Sequence, residues 1–168
     1  MARKTPSVGE LDLERRPAYR FAMLADASMR WLARMYVPQD GLSISGWKTL
    51  SVIGRYEPCN PVDVARRTTM NPDKVTRAVD QLVKAKWVAR TVDPEDRRRL
   101  TLRLTPSGRA LHDRIDAVRR EKETRFLAVL TPEERKAFYA IMDKLDAHGR
   151  AIFAEPPPSP ARPPGRKR

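Results

Sequence analysis

NPDKVTRAVDQLVKAKWVARTVDPEDRRRLTLRL, residues 71–104, changes its hydrophobic period midway. In its first half Val75, Val79 and Leu82 fall at i, i+4 and i+7, one stripe of an α-helix that Asn71 caps and Pro72 opens. In its second half Leu100, Leu102 and Leu104 alternate with Thr101 and Arg103, the period-two pattern of a half-buried strand over 99–104. Residues 87–92 can pair with that strand across the turn DPEDRR. Three consecutive arginines, Arg97, Arg98 and Arg99, then stand at the tip of a β-hairpin, a self-repelling arrangement unless something negative neutralises it.

Upstream, PVDVARR at 61–67 reads as a short helix with proline in its first turn, and TTM as the turn that follows. Two short helices joined by a tight turn, the second leaving Asp73, Lys74, Thr76, Arg77 and Lys84 off its buried stripe, form a helix-turn-helix pattern. With the basic-tipped hairpin behind it, the pattern is a winged helix. A helix fits the major groove of DNA, where Asn71, Asp73, Lys74, Thr76 and Arg77 are the candidate contacts to base edges or phosphates. The hairpin tip can reach the adjacent minor groove, where a guanidinium is a favoured guest, and Asp96 beside Arg98 can hold that side chain extended. Taken alone, the arginine run also reads as a solvated charged turn.

The whole composition agrees with a polyanionic partner. The chain has 168 residues, 40% of them hydrophobic, and a formal net charge of +13; its pI is near 10.6. Nucleic acid or an anionic membrane surface would answer that charge. The apolar runs are too short to span a bilayer and the start lacks the apolar core of a signal peptide, so a soluble, cytoplasmic protein with no membrane partner is expected. Cys59 is the single cysteine; it excludes an internal disulfide framework, fits a reducing compartment and reads as an ordinary small residue. Pro156 to Arg168 carries six prolines and four basic residues with no acid, so residues 154–168 are expected to be a disordered Pro/Arg-rich tail, either solubilising or an auxiliary phosphate-binding arm.

Longer amphipathic helices flank the winged unit. Residues 18–36 carry Phe21, Leu24, Trp31, Leu32 and Met35 at helical spacing, and PQDG at 38–41 is expected to break them off. Ser43 or Ser45 can cap a second helix with Ile44, Trp47, Leu50 and Ile53, which EPCNP at 57–61 interrupts. Thr105-Pro106 starts a long helix with Leu111, Ile115, Val118 and Phe126 on its apolar side. Thr131 and Glu134 are spaced as a capping box for a last helix carrying Phe138, Ile141, Met142, Leu145 and Ile152. These outer stripes must be covered, either by an interleaved dimer or by packing on one another within one chain.

Enzymatic signatures are missing. His112 and His148 are far apart in sequence, no Cys/His spacing suits a metal, and neither a phosphate-cradling glycine loop nor a nucleophile elbow occurs, so no catalytic residue, metal or cofactor is expected. For a small-molecule effector, Trp31, Tyr36 and Trp47 offer flat apolar walls, with Arg20 and Arg30 as clamps for an anion such as an aromatic acid or its coenzyme A thioester. Each also has a plainer reading: Trp31 as core, and Arg30 as the partner of Asp26 one turn away.

The run DPEDRRRLTLRLTPSG, residues 93–108, resembles the wing of the MarR family of bacterial transcription regulators, whose pattern of Asp-x-Arg, then Leu-Thr and a nearby Gly falls here on Asp96, Arg98, Leu104, Thr105 and Gly108. VARRTTMNPDKVTRAVDQLVKAKWVAR resembles that family's helix-turn-helix, LSISGWKTL resembles the helix before it, and the likeness covers residues 18 to 152. It implies a mainly α fold with a small β-hairpin, a winged helix-turn-helix with extra N- and C-terminal dimerisation helices. The implied organisation is an N-terminal arm at 1–17, a domain at 18–153 with dimerisation helices at 18–36 and 106–153, and a DNA-binding lobe at 43–104. The resemblance further implies a homodimer on a palindromic operator, usually a repressor released by a small molecule, with half-sites ~34 Å apart. Sensing of aromatic acids is common in the family. The alternative is an architectural protein that coats DNA through charge alone. Two departures bear on the backbone: Thr69 and Lys86 stand where the family commonly has glycine, and positive φ is expected of these non-glycine residues.

Overall fold

Proline sets where most of the helices begin. The computed structural model describes Ser7, Gly9 and residues 11–92 and 100–154, with only the backbone of 35–39. A short 3-10 turn, Leu13–Arg15, precedes α1 (Pro17–Asp40), α2 (Ile44–Tyr56), α3 (Pro61–Thr68) and α4 (Pro72–Lys84); then come β1 (Val88–Val92), β2 (Leu100–Leu104), α5 (Pro106–Leu127) and α6 (Pro132–Ile152). The missing N–H of proline costs nothing at a first helical position, where no carbonyl awaits it. In front of four of these prolines, Pro61, Pro72, Pro106 and Pro132, stand side chains that do accept. Asn60 Oδ1 takes the Asp63 N–H at 2.9 Å, Asn71 Oδ1 that of Lys74 at 2.8 Å, and Thr105 Oγ1 that of Gly108 at 3.0 Å. Thr131 and Glu134 close the expected capping box. At α2 the cap is Ser43, whose Oγ accepts from Gly46 N at 3.0 Å.

The first helix departs from expectation. It runs through Pro38 to Asp40 and stops at Gly41, which takes φ +64°. Proline removes one donor from the last turn, whereas a glycine in the left-handed region redirects the chain, so the latter is the effective stop. Asp40 also anchors that end by accepting two bonds from Arg114 of α5, at 2.8 and 2.9 Å.

The chain forms two units, Met1–Arg120 and Glu121–Arg168, so their boundary falls inside α5. In the first, α2 packs against α3, α4 and β2. Leu50 and Ile53 of α2, Val64 of α3, Val75, Val79 and Leu82 of α4, and Leu102 of β2 are essentially inaccessible. Ile44, expected on that stripe, is exposed, because it sits two positions, about 200° of rotation, from Gly46, where the buried Gly46, Thr49, Leu50 and Ile53 row begins. The hairpin is antiparallel with Val88 opposite Leu104 and Val92 opposite Leu100. Cys59 adds a bridge to the other edge of β2, donating to Leu102 O at 3.3 Å and accepting from Leu102 N at 2.8 Å. That placement buries the thiol, and burial, followed by the nearby Asp63 and Glu57 carboxylates, pushes its pKa up, which makes it a poor nucleophile.

Thr69 and Lys86 both occupy the left-handed region, at φ 56° and 58°. Thr69 is the turn between α3 and α4, and Lys86 the turn from α4 into β1. Close backbone approach fixes the start of α5: a Cβ on Gly108 would stand 1.8 Å from Trp87 O. In the second unit α6 buries no residue; Ile141, Leu145 and Ile152 are exposed, as are Phe126 of α5 and, in the first unit, Phe21 and Leu24. No helix among the described residues is long and apolar enough to cross a membrane. The hairpin tip with Asp96, Arg97, Arg98 and Arg99, and residues 155–168 of the tail, lie outside the described residues.

Two substitutions follow from this packing. The hydroxyl of Thr49 is fully buried with no hydrogen-bond partner among the described residues, so Thr49→Val should raise the unfolding free energy by about 1 kcal/mol in urea titration. Lys86→Gly, relieving a left-handed side chain at an exposed position, should add about 0.5–1 kcal/mol in the same assay.

Candidate nucleic-acid interface

α4 is built with two faces. Val75, Ala78, Val79 and Leu82 are buried against the core, while Asn71, Asp73, Lys74, Thr76 and Arg77 are all exposed. The Asn71 carbonyl oxygen is engaged as the helix cap, and the Thr76 hydroxyl donates to Pro72 O at 3.0 Å. Lys74 and Arg77 line a groove of about 610 Å³ between α4 and the start of α2, together with Ser43, Ser45, Gln81 and Lys84. Asp80 lies in the same groove, but its carboxylate accepts from Arg90 of β1 at 2.8 Å, so a strand cation offsets the one acid there. Sequence reasoning read Ser43 and Ser45 only as caps; their position beside α4 follows from a long-range packing of helices that no local pattern encodes.

Of the five residues proposed for an effector, four have described side chains. Arg30 is paired with Asp26, Trp31 is half-buried against the core, Arg20 is exposed on α1, and the Tyr36 side chain lies outside the described residues. Trp47 lines a cleft, about 620 Å³ in volume, between α2 and α5. The opposite wall is His112, Asp116, Arg119 and Arg120 of α5. Residues 112–120, HDRIDAVRR, do carry a signal for it, because His112, Asp116 and Arg119 or Arg120 recur at i, i+4 and i+7 or i+8 and so share a helix face. Asp116 accepts from Arg119 at 2.8 Å and from Arg120 Nε at 3.2 Å. The Arg119 hydrogen bond holds its carboxyl below the ordinary range against a smaller opposing effect of burial. With Arg55 on the α2 side, three guanidinium groups face one carboxylate, so the cleft favours an anion.

The end of α2 joins this cleft to the rest of the first unit. Tyr56, the last residue of α2, lines the cleft, and the guanidinium carbon of Arg67 in α3 stands 3.7 Å over the centre of its ring. Next to it, Glu57 accepts from Leu104 N at 2.5 Å and from the Arg109 guanidinium, which also donates to Gly54 O at 3.1 Å. Among the described residues no three His, Cys, Asp or Glu side chains are grouped to hold a metal.

The sequence model of the MarR family matches residues 40–99, from the end of α1 to the hairpin tip. The HTH-type transcriptional repressor Rv2887 of Mycobacterium tuberculosis is 30% identical over 105 residues, 62% of this chain and 76% of that protein. Among solved structures, a MarR family transcriptional regulator from Silicibacter pomeroyi superposes with a TM-score of 0.75 at 26% identity, over 85% of this chain and 96% of that one. BpsR of Bordetella bronchiseptica has the same fold, with a TM-score of 0.68 at 22% identity over 82% and 98% of the two chains. A two-faced α4 behind a tight turn, a two-stranded wing, flanking helices in the same order, and this identity over most of a known repressor together make the chain a member of the MarR family of helix-turn-helix transcription regulators.

Proposed function

We propose that the protein is a homodimeric repressor that holds a palindromic operator through α4 and the hairpin and releases it when an anionic aromatic compound fills the cleft between α2 and α5. The observation that carries this reading is the division of α4: an apolar face fixes the helix to the core, and the opposite face presents Asp73, Lys74, Thr76 and Arg77 beside a basic groove. In the major groove Arg77 and Lys74 would meet guanine edges or phosphates, and the amide group of Asn71 can donate to a phosphate. The hairpin tip would carry Arg97, Arg98 and Arg99 to the neighbouring minor groove, with Asp96 orienting Arg98.

Support for the dimer comes from the apolar side chains that the single chain leaves in water, Phe21 and Leu24 on α1 and Ile141, Leu145 and Ile152 on α6. A twofold pair of α4 helices would read half-sites one DNA turn apart. Support for the effector comes from the cleft's excess of guanidinium groups and the aromatic surfaces of Trp47 and Tyr56, which suit a flat carboxylate or an acyl-coenzyme A. BpsR, alike in fold, is regulated in its DNA binding by 6-hydroxynicotinic acid.

A gel shift with the DNA flanking the protein's own gene, against random DNA at one physiological salt concentration, tests the reading. An operator should be preferred by ~10³ or more, and one of a panel of aromatic acids and their coenzyme A thioesters should relieve it; equal retardation of both DNAs would instead indicate a coating protein. Arg98→Ala should weaken operator binding by about 1–3 kcal/mol with an unchanged circular dichroism spectrum. Arg77→Ala should cost about as much and relax preference at one position of each half-site, whereas a uniform loss across sequences would make Arg77 a phosphate contact.

A further inference from the structure

We propose that the stack of Arg67 on Tyr56 transmits occupancy of the cleft to the helix-turn-helix, with Arg67 acting as a positioning residue for α4; this rests on the reading that the cleft controls DNA binding. Tyr56 belongs to two environments at once. It lines the cleft with Trp47 and His112, and it carries the Arg67 guanidinium 3.7 Å above its ring. The side chain is 45% exposed, so its setting depends on these neighbours rather than on burial. A flat aromatic anion entering the cleft would stack on the same ring or turn it, and either event changes the surface on which the guanidinium rests.

Arg67 is well placed to report that change. It is the penultimate residue of α3, and two residues later Thr69, at φ 56°, makes the turn that aims α4. Its neighbour Arg66 is tied to Asp63 at 2.7 Å, and the Thr68 hydroxyl is tied to Val64 O at 2.6 Å, so the last turn of α3 is internally braced. On the other side of Tyr56, Glu57 grips Leu104 N at the base of the wing. Tyr56 at the end of α2 thus faces the cleft, the turn before the recognition helix is reached through its ring, and the wing is reached through the adjoining Glu57 side chain.

A tethered group replaces an unidentified ligand in the test. Ser51, which lines the cleft, is changed to Cys and labelled with N-benzylmaleimide, while Cys59, 7% exposed, stays unlabelled as checked by mass spectrometry. Operator affinity, by fluorescence anisotropy, is compared for labelled and unlabelled Ser51→Cys alone and combined with Arg67→Gln, Tyr56→Leu or Tyr56→Phe. The ratio within each background removes any direct effect of the second substitution on DNA binding. The label should weaken binding about tenfold or more in Ser51→Cys and with Tyr56→Phe, which keeps the ring, and less than about twofold with Arg67→Gln or Tyr56→Leu. An equal penalty in all backgrounds would overturn the Tyr56–Arg67 route and leave the cleft in control. A label without effect in Ser51→Cys alone would overturn the control by the cleft and this inference with it.

Discussion

The Glu57 carboxylate gathers pieces of chain that lie about fifty residues apart. It accepts from the backbone of Leu104 at the end of the wing and from Arg109 in the first turn of α5, and Arg109 reaches back to Gly54 O in the last turn of α2. Bonds to an ionised, partly buried acceptor are stronger than neutral ones, and each here closes a loop whose ends would otherwise drift. Because α2 also packs on α3 and α4, the wing, the helix-turn-helix and the start of α5 share one reference body. A reader of DNA needs that common frame, since base contacts by a helix and phosphate contacts by a hairpin are useful only at a fixed separation.

Several acids of this basic protein tie elements together or brace a helix. Asp40 joins α1 to α5, Asp80 joins α4 to β1, and Asp63 and Asp116 brace single helices. Surface pairs contribute only ~0–1 kcal/mol each, so the value of the more exposed of these, such as Arg90–Asp80, is mainly orientational. What they leave behind is a face of α4 on which Lys74, Arg77 and Lys84 share a groove with the already offset Asp80.

Much of this arrangement is legible in the residues, for identifiable reasons. Asn-Pro at 60–61 and 71–72 and Thr-Pro at 105–106 and 131–132 announce helix starts locally, and the change of period near residue 87 separates helix from hairpin. The positive φ of Thr69 and Lys86 was legible only against a family pattern that has glycine there. Other features resist reading because they depend on which helices meet. The cleft is walled by α5, so a tryptophan in α2 could not by itself choose α5 over α1 as its partner. Pro38 looked like a terminus, yet the distant Arg114 holds the helix on to Asp40. The apolar stripes of α1 and α6 were visible, but periodicity says that a face wants cover and not what supplies it.

Among the described residues, five of the six α-helices begin on proline: Pro17, Pro61, Pro72, Pro106 and Pro132. At Pro61, Pro72, Pro106 and Pro132 a ring that fixes φ before folding, next to a side chain that caps after it, sets the rotational phase of the helix from its own first residues. An insertion or deletion in the preceding loop therefore shifts a helix without turning its faces. The outward positions of α4 can then diverge from one descendant to the next while the inward row keeps its register, which is how one scaffold can be handed from target to target by changes confined to its exposed side.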